Sequence, residues 1–208
     1  LVAKLDLYIG SSNLGKKKEI LELAQEYLNH NFELKDFPFV SAEETGKTFV
    51  ENAKIKGESC LKQLKDSHKT NFILICDDSG LSVDCLDGAP GIYSARYSQQ
   101  NENLDNIDYL IQEIKKTGVQ PPLTKAHYNC ALYFYAKGLS STYEGKCHGH
   151  IIFERSGQAG FGYDPIFVDP PSNKSYAFLD SEYKNKISHR RQAFEKLKNE
   201  RLANSAAM

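Results

Sequence analysis

The sequence predicts an α/β protein with a mixed sheet, and three stretches carry that prediction. The apolar run 5–9 ends in small residues, and helical spacing follows at Ile20, Leu23, Ala24, Tyr27 and Leu28. A second apolar run, 71–75, follows a helix expected to begin after Thr48. Two long strand-like stretches, 126–135 and 141–153, flank Lys137-Gly138-Leu139-Ser140 and read as an antiparallel pair. Strands that alternate with helices and then form a hairpin belong to an α/β architecture.

The first strand ends in Gly10-Ser11-Ser12-Asn13, where Ser12 or Asn13 is a plausible N-cap. The free amides of that helix end suit a phosphate, and Lys16 adds a positive charge within one turn. The phosphate-loop pattern Gly-x-x-x-x-Gly-Lys-Ser/Thr is missing, and no Gly-x-Gly-x-x-Gly follows the strand. Residues 32–40 read as an edge strand interrupted by Pro38. Thr48 and Glu51 form a capping-box pattern, with Phe49, Ala53, Gly57, Cys60 and Leu64 as the buried stripe. Thr48, Asn52 and Lys56 make a separate polar line, either solvated surface or part of a site.

The run Cys76-Asp77-Asp78-Ser79-Gly80 is the main anomaly. Two adjacent carboxylates at the end of a buried strand are costly, since each loses water and each repels the other. Side chains alternate along a strand, so a bend at Ser79-Gly80 is expected to bring both to one edge. One would then hold a divalent metal and the other act as a base; the bland alternative is an acidic turn. Residues 81–86 read as a further strand and 87–91 as a turn. Residues 101–116 read as a helix with Leu104, Ile107, Ile111 and Ile114 on one side. Gly118, Pro121 and Pro122 mark a lobe boundary, placing a second lobe at roughly 120–170 of a single 1–208 domain.

The second anomaly is Gly160-Phe161-Gly162-Tyr163-Asp164-Pro165, where glycines bracket an aromatic ring and suit a flat ligand. Asp164 would fix the turn or receive hydrogen bonds from a base edge. Lys184, Lys186, His189, Arg190 and Arg191 gather near a helix N-terminus against its dipole, which calls for a negative partner. Cys147-His148-Gly149-His150 is a weak metal candidate, because strand alternation separates the thiol from the histidines.

Composition narrows the class. The chain has 208 residues, 40% hydrophobic and 25% charged, with a net charge of -1, so no general attraction to nucleic acid is expected. No run approaches membrane-spanning length, and the first residues resemble neither a signal nor a transit peptide. The five cysteines form no Cys-x-x-Cys pair, and reduced thiols in a cytoplasmic protein are expected.

Six ordered strings closely resemble the inosine triphosphate pyrophosphatase (Ham1-like) family. They are Ser-Asn-Leu-Gly-Lys (12–16), Glu-Glu-Thr-Gly-Lys-Thr-Phe-Val-Glu-Asn-Ala (43–53) with Lys56, and Asp-Asp-Ser-Gly-Leu-Ser-Val (77–83). Gly-Ala-Pro-Gly-Ile-Tyr-Ser-Ala-Arg-Tyr (88–97), Gly-Phe-Gly-Tyr-Asp-Pro-Ile-Phe (160–167) and Ser-His-Arg (188–190) complete the set. The resemblance implies an elongated two-lobed α/β fold with a nucleotide-binding cleft, usually a homodimer. It implies Mg²⁺-dependent conversion of ITP, dITP and XTP to the monophosphate and pyrophosphate, cleansing nucleotide pools.

Residue by residue, the resemblance implies that Glu44 and Asp77 hold metal and that Asp78 activates water. It gives Ser11, Asn13, Lys16 and Lys56 to the triphosphate, and Phe161 to stacking on the base. Asp164, Lys184, His189 and Arg190 would line the base pocket, with Ser79, Gly162 and Tyr163 as further substrate contacts. The family's Thr-Gly-Asn turn reads Ser11-Ser12-Asn13 here, so a left-handed backbone at Ser12 would carry strain. The rival readings are a related enzyme with another base preference and a silent nucleotide-binding module.

Overall fold

The computed structural model describes residues 4–28, 32–99 and 104–206. It bears out the α/β prediction. The order is β1 (Leu5–Ile9), α1 (Leu14–Tyr27), β2 (Phe32–Leu34), α2 (Phe49–Asp66) and β3 (Phe72–Val83). Then follow α3 (Asn106–Thr117), β4 (Lys125–Ala136), β5 (Leu139–Ile151), β6 (Phe167–Asp169), β7 (Lys174–Ser175), α4 (Ser181–Ile187) and α5 (His189–Ala206). The sheet is seven-stranded in the order β2-β1-β3-β4-β5-β6-β7. It is mixed: β1 runs parallel to β2 and β3, while β6 is antiparallel to β5 and β7.

Local chemistry explains the elements. Asn13 caps α1, its side chain accepting from the Lys16 amide, and Thr48 with Glu51 forms the full capping box of α2. Asp105 and Asp180 cap α3 and α4 in the same way. Lys137 and Gly138 both take positive φ, 51° and 86°, as a two-residue hairpin turn requires. The expected edge strand at 32–40 shrinks to β2, which does lie at the sheet edge. The expected helix start at Asn101 lies outside the described residues.

The chain divides into two compact units. The first comprises the chain up to Asp78, Cys130–Gly145 and the chain from Arg190 onward; the second comprises Ser79–Asn129 and Lys146–His189. The division differs from the lobe expected at roughly 120–170, because β3, β4 and β5 each contribute residues to both units. In the first unit, one face of β3 sends Ile73 and Ile75 into a core with Ile20, Leu23 and Phe194 of α1 and α5. Its other face sends Phe72, Leu74 and Cys76 into a core with Ala53, Cys60 and Leu64 of α2. The second unit has its own core, where Leu81 and Val83 join Leu110, Ile114, Tyr128, Phe167 and Tyr176.

β3 corrects one expectation directly. It runs without a break from Phe72 to Val83, so no bend occurs at Ser79-Gly80 and the stretch 81–86 is not a separate strand. Gly80 keeps an extended backbone, absent from the positive-φ glycines. Leu81 and Val83 are wholly buried, so apolar anchors lie on both sides of the acidic pair and hold the strand in register. A short 3-10 turn, Asp84–Leu86, ends it.

Candidate active site

The acidic pair forms the last two residues of β3 within the first unit. With no bend, alternation sends Asp77 to the face of Ile75 and Asp78 to the face of Cys76. Asp77 is 0% exposed and Asp78 6%. The two residues therefore meet different surroundings although they are neighbours in the chain.

On the first face Arg190 dominates. Its Nε and Nη2 donate to Asp77 Oδ2 at 3.3 and 3.1 Å, and its Nη1 donates to Glu19 Oε2 at 2.6 Å. Lys16 Nζ lies 3.7 Å from the same Asp77 oxygen. All three residues of the Glu19–Arg190–Asp77 chain are buried. Burial works against the guanidinium charge, but Asp77 and Glu19 outweigh it and hold the Arg190 pKa above its usual value. Arg190, expected to line a base pocket, here bonds Asp77 and Glu19. These bonds also answer the question of what offsets the cations near the α5 N-terminus. Glu19 and Asp77 take Arg190, Glu26 and Glu195 take Arg191, and Asp164 takes Lys184.

On the second face stands Lys56, whose Nζ donates to the Asp77 carbonyl at 2.9 Å and pairs with Glu44 Oε1 at 2.8 Å. Burial opposes the Lys56 charge, yet Asp77, Glu44 and Asp78 raise its pKa overall. Asp78 moves the other way: burial pushes its carboxyl above the usual carboxylate range, with Lys16 and Lys56 pulling it back. Asn52, only 1% exposed, is not a surface residue; its Oδ1 accepts from the Gly46 amide at 2.8 Å. That bond ties the segment carrying Glu44 to α2. Among the described residues the buried Asn52 Nδ2 meets no acceptor.

The turn before α1 completes this group. The Asn13 amide donates to Ser11 Oγ at 3.2 Å, and the Lys16 amide donates to Asn13 Oδ1 at 3.0 Å. Ser12 is not among the positive-φ residues, so the serine in place of the family's glycine carries no left-handed strain. Gly10 is required for space: a Cβ there would lie 2.5 Å from Cys76 Sγ and 2.9 Å from Cys60 Sγ.

The remaining predicted residues belong to the second unit. Gly160 and Gly162 take positive φ, 77° and 59°, and hold Phe161 on a tight loop. Asp164 fixes that loop by accepting from the Phe161 amide at 2.8 Å, and pairs with Lys184 Nζ at 2.6 Å. Lys184 Nζ also lies 4.9 Å from the centroid of the Phe161 ring. Tyr128 Oη donates to the other Asp164 oxygen at 3.3 Å, and its ring stacks on His189 at 5.0 Å. Tyr163 departs from expectation: its side chain is buried in the core and donates to the Ser94 carbonyl at 2.9 Å. Gly162 has open space where a Cβ would stand. Ser79, on β3, begins this unit.

Sequence reasoning did not mark Glu19, Tyr128 or Tyr176, and marked Cys147 only as part of a weak metal candidate. Glu19 had a readable signal, since it lies on α1 beside the apolar stripe of Ile20 and Leu23 and one turn from Lys16. Tyr128 and Tyr176 had none, because an aromatic side chain in an apolar stretch reads as core.

The donor set of the first unit can be tested against a cation. Asp77, Asp78, Glu44 and the Asp77 carbonyl offer hard oxygen atoms, which fit Mg²⁺ and not a thiophilic metal. Among the described residues no three His, Cys, Asp or Glu side chains are already grouped as a metal cage. Magnesium sites commonly use one or two carboxylates and leave the remaining positions to water and substrate phosphates.

A buried carboxylate pair flanked by Lys16 and Lys56, beside a capped helix start, defines an α/β protein built for anhydride phosphate chemistry. The chain belongs to the Ham1 family, whose model matches residues 7–200. It is 41% identical over 193 residues to a dITP/XTP pyrophosphatase of Clostridium perfringens, covering 91% of this chain and 94% of that one. A dITP/XTP pyrophosphatase of Bacillus subtilis is 40% identical over 200 residues, covering 95% and 97%. Among solved structures, the Staphylococcus aureus Ham1 protein superposes with a TM-score of 0.74 at 33% identity, covering 96% of this chain and 99% of that one.

Proposed function

We propose that this chain is a Mg²⁺-dependent nucleoside triphosphate pyrophosphatase that converts ITP, dITP and XTP to the monophosphate and pyrophosphate. The observation that carries the reading is the split acidic pair: Asp77 is locked by Arg190, while the pKa of Asp78 is raised by burial beside Lys16 and Lys56. Membership in a family whose relatives are dITP/XTP pyrophosphatases supports it.

Asp78 takes the proton of the attacking water, since a carboxylate of raised pKa is the stronger base. The water oxygen bonds the α-phosphorus as the bond to the bridging oxygen breaks, and pyrophosphate leaves. Lys16 and Lys56 stabilise the charge that develops on the leaving group, with Ser11 and Asn13 holding phosphate oxygens. The Nδ2 of Asn52 offers one further donor. Mg²⁺, held by Glu44 and Asp77, would neutralise triphosphate charge and polarise the phosphate under attack.

In the second unit Phe161 stacks on the base, and Lys184, held by Asp164, sits over its ring. With Arg190 engaged by carboxylates, discrimination falls to His189, as a donor to the C6 oxygen of hypoxanthine or xanthine. Ser79, Gly162 and the backbone at Tyr163 supply close contacts. We read the enzyme as a cytoplasmic homodimer with no stable nucleic-acid complex. No helix of the described residues is long and apolar enough to cross a membrane.

Pyrophosphate release across ITP, dITP, XTP, GTP and ATP tests the assignment. Preference for the first three is expected, and comparable turnover of ATP overturns the selectivity. Asp78→Asn should keep nucleotide binding and lose most turnover; normal hydrolysis by that variant would remove Asp78 as the base.

A further inference from the structure

The side-chain amide of Asn52 has one end engaged and one end open. Its Oδ1 accepts from the Gly46 amide at 2.8 Å. A backbone N–H can only donate, so this bond fixes which end of the side chain is oxygen and which is nitrogen. The Nδ2 lies on the other branch, and among the described residues it meets no acceptor. Asn52 is only 1% exposed, so bulk water does not supply one. A buried donor without a partner is destabilising, and asparagine is a poor helix former within α2.

The chain is built to approach this side chain closely. A Cβ at Gly46 would lie 2.7 Å from Asn52 Oδ1 and 2.6 Å from Glu51 Cβ, so only glycine lets the segment come so near. Glu51 takes the next two amides, its Oε2 accepting from Lys47 at 2.6 Å and from Thr48 at 3.2 Å. Two side chains of α2 thus clamp residues 46–48, and with them the segment that carries Glu44. One turn further along α2, Lys56 Nζ pairs with Glu44 Oε1 at 2.8 Å. Residues four apart on a helix share a face, with Cβ atoms about 5–6 Å apart, so the open Nδ2 and the Lys56 ammonium belong to one surface of α2. A donor beside a cation suits an anionic oxygen, and an amide N–H cannot ligate a metal.

We propose that Asn52 is a two-ended residue: its Oδ1 positions the segment that carries Glu44, and its Nδ2 binds an anionic oxygen of the substrate triphosphate. Phosphate then enters where the free protein leaves a donor unsatisfied, and the amide that receives it also holds the proposed metal ligand in place. This role rests on Lys56 and its neighbours holding the triphosphate, as in the reaction proposed above.

The test uses Mg²⁺ and a non-hydrolysable ITP analogue with an imido group between the α- and β-phosphorus atoms. The first measurement is the side-chain amide ¹H–¹⁵N signal of Asn52 in the unmodified protein, assigned by its loss in Asn52→Asp. Saturation with the analogue should shift that signal. If the analogue shifts the backbone amides of Ser11 to Lys16 but leaves the Asn52 signal in place, the phosphate contact is overturned while the triphosphate reading survives. If it shifts neither, the triphosphate reading falls and this role falls with it. The second measurement is affinity for the analogue. Loss of one hydrogen bond to a charged oxygen should weaken binding about 10- to 150-fold in Asn52→Ala. Glu51→Ala releases the same segment at two amides while leaving Nδ2 in place, and should weaken binding far less. Equal losses in the two variants would mean that Asn52 acts only through the Glu44 segment, which overturns the direct contact.

Discussion

Replacing Arg190 by Met would remove the cation from a buried chain while keeping much of its volume. Asp77 and Glu19 would then face each other's charge with little solvent, their side chains being 0% and 10% exposed. Lys16 remains, but 3.7 Å from Asp77. The three donor bonds are not additive, so their sum overstates the effect; removing one partner of a buried ion pair costs about 3–5 kcal/mol. For a domain of this size that lowers Tm by about 6–20 °C. The chain has no tryptophan, so thermal and urea unfolding are followed by circular dichroism. Adding Glu19→Gln should recover part of the loss, because one of the two stranded charges is gone. A loss below about 1 kcal/mol in Arg190→Met would refute the view of this chain as the internal counter-charge of Asp77.

Three further outcomes follow from the geometry of the two units. Phe161→Ala should lower kcat/KM for ITP about 5- to 150-fold, the range expected when a base loses an aromatic platform, while Phe161→Tyr should retain most of it; equal activity in all three proteins would exclude stacking. The Asp78 carboxyl has its pKa raised in the folded state by burial, with Lys56 lowering it. The folded state thus binds the Asp78 proton more tightly, and stability attributable to it is present below the ordinary Asp value of 3.8 and lost as pH rises through the raised folded value. Asp78→Asn should therefore show a higher Tm than the parent at neutral pH although it is inactive. For the same reason the acidic limb of the kcat/KM profile should move to higher pH in Lys56→Gln; a limb that stays in place would detach it from Asp78.

How far the sequence disclosed this arrangement can be judged from single residues. Thr48 with Glu51, and Asn13 ahead of α1, were legible because capping acts over three residues and needs no tertiary context. The hairpin at Lys137-Gly138 was legible for the same reason. The continuity of β3 was not: Ser79-Gly80 has the composition of a bend, and only buried Leu81 and Val83 beyond it keep the strand extended. Arg190 was given its role by the resemblance at 188–190, and its bonds to Asp77 and Glu19 were not readable from the sequence. Successive residues on a helix point about 100° apart, so adjacency in a helix separates side chains. Asp164 could be read as a turn former or as a base contact, and the structure shows the first. Tyr163 was carried by its motif into the substrate set, although its ring is core and its hydroxyl meets Ser94.

The crowding at Gly10 bears on how this sequence can change. Gly10, Cys60 and Cys76 come from a turn, a helix and a strand, yet they share one small volume. Any side chain at position 10 first requires that a sulfur be removed or displaced. The three positions therefore make a single evolutionary character spread across 66 residues of chain (10 to 76). Gly10→Ala should be poorly tolerated alone and eased only in part by Cys76→Ala, since Cys60 Sγ would still stand 2.9 Å from the new Cβ. A change at either thiol would then be felt at position 10, beside Ser11 in the turn that leads into α1.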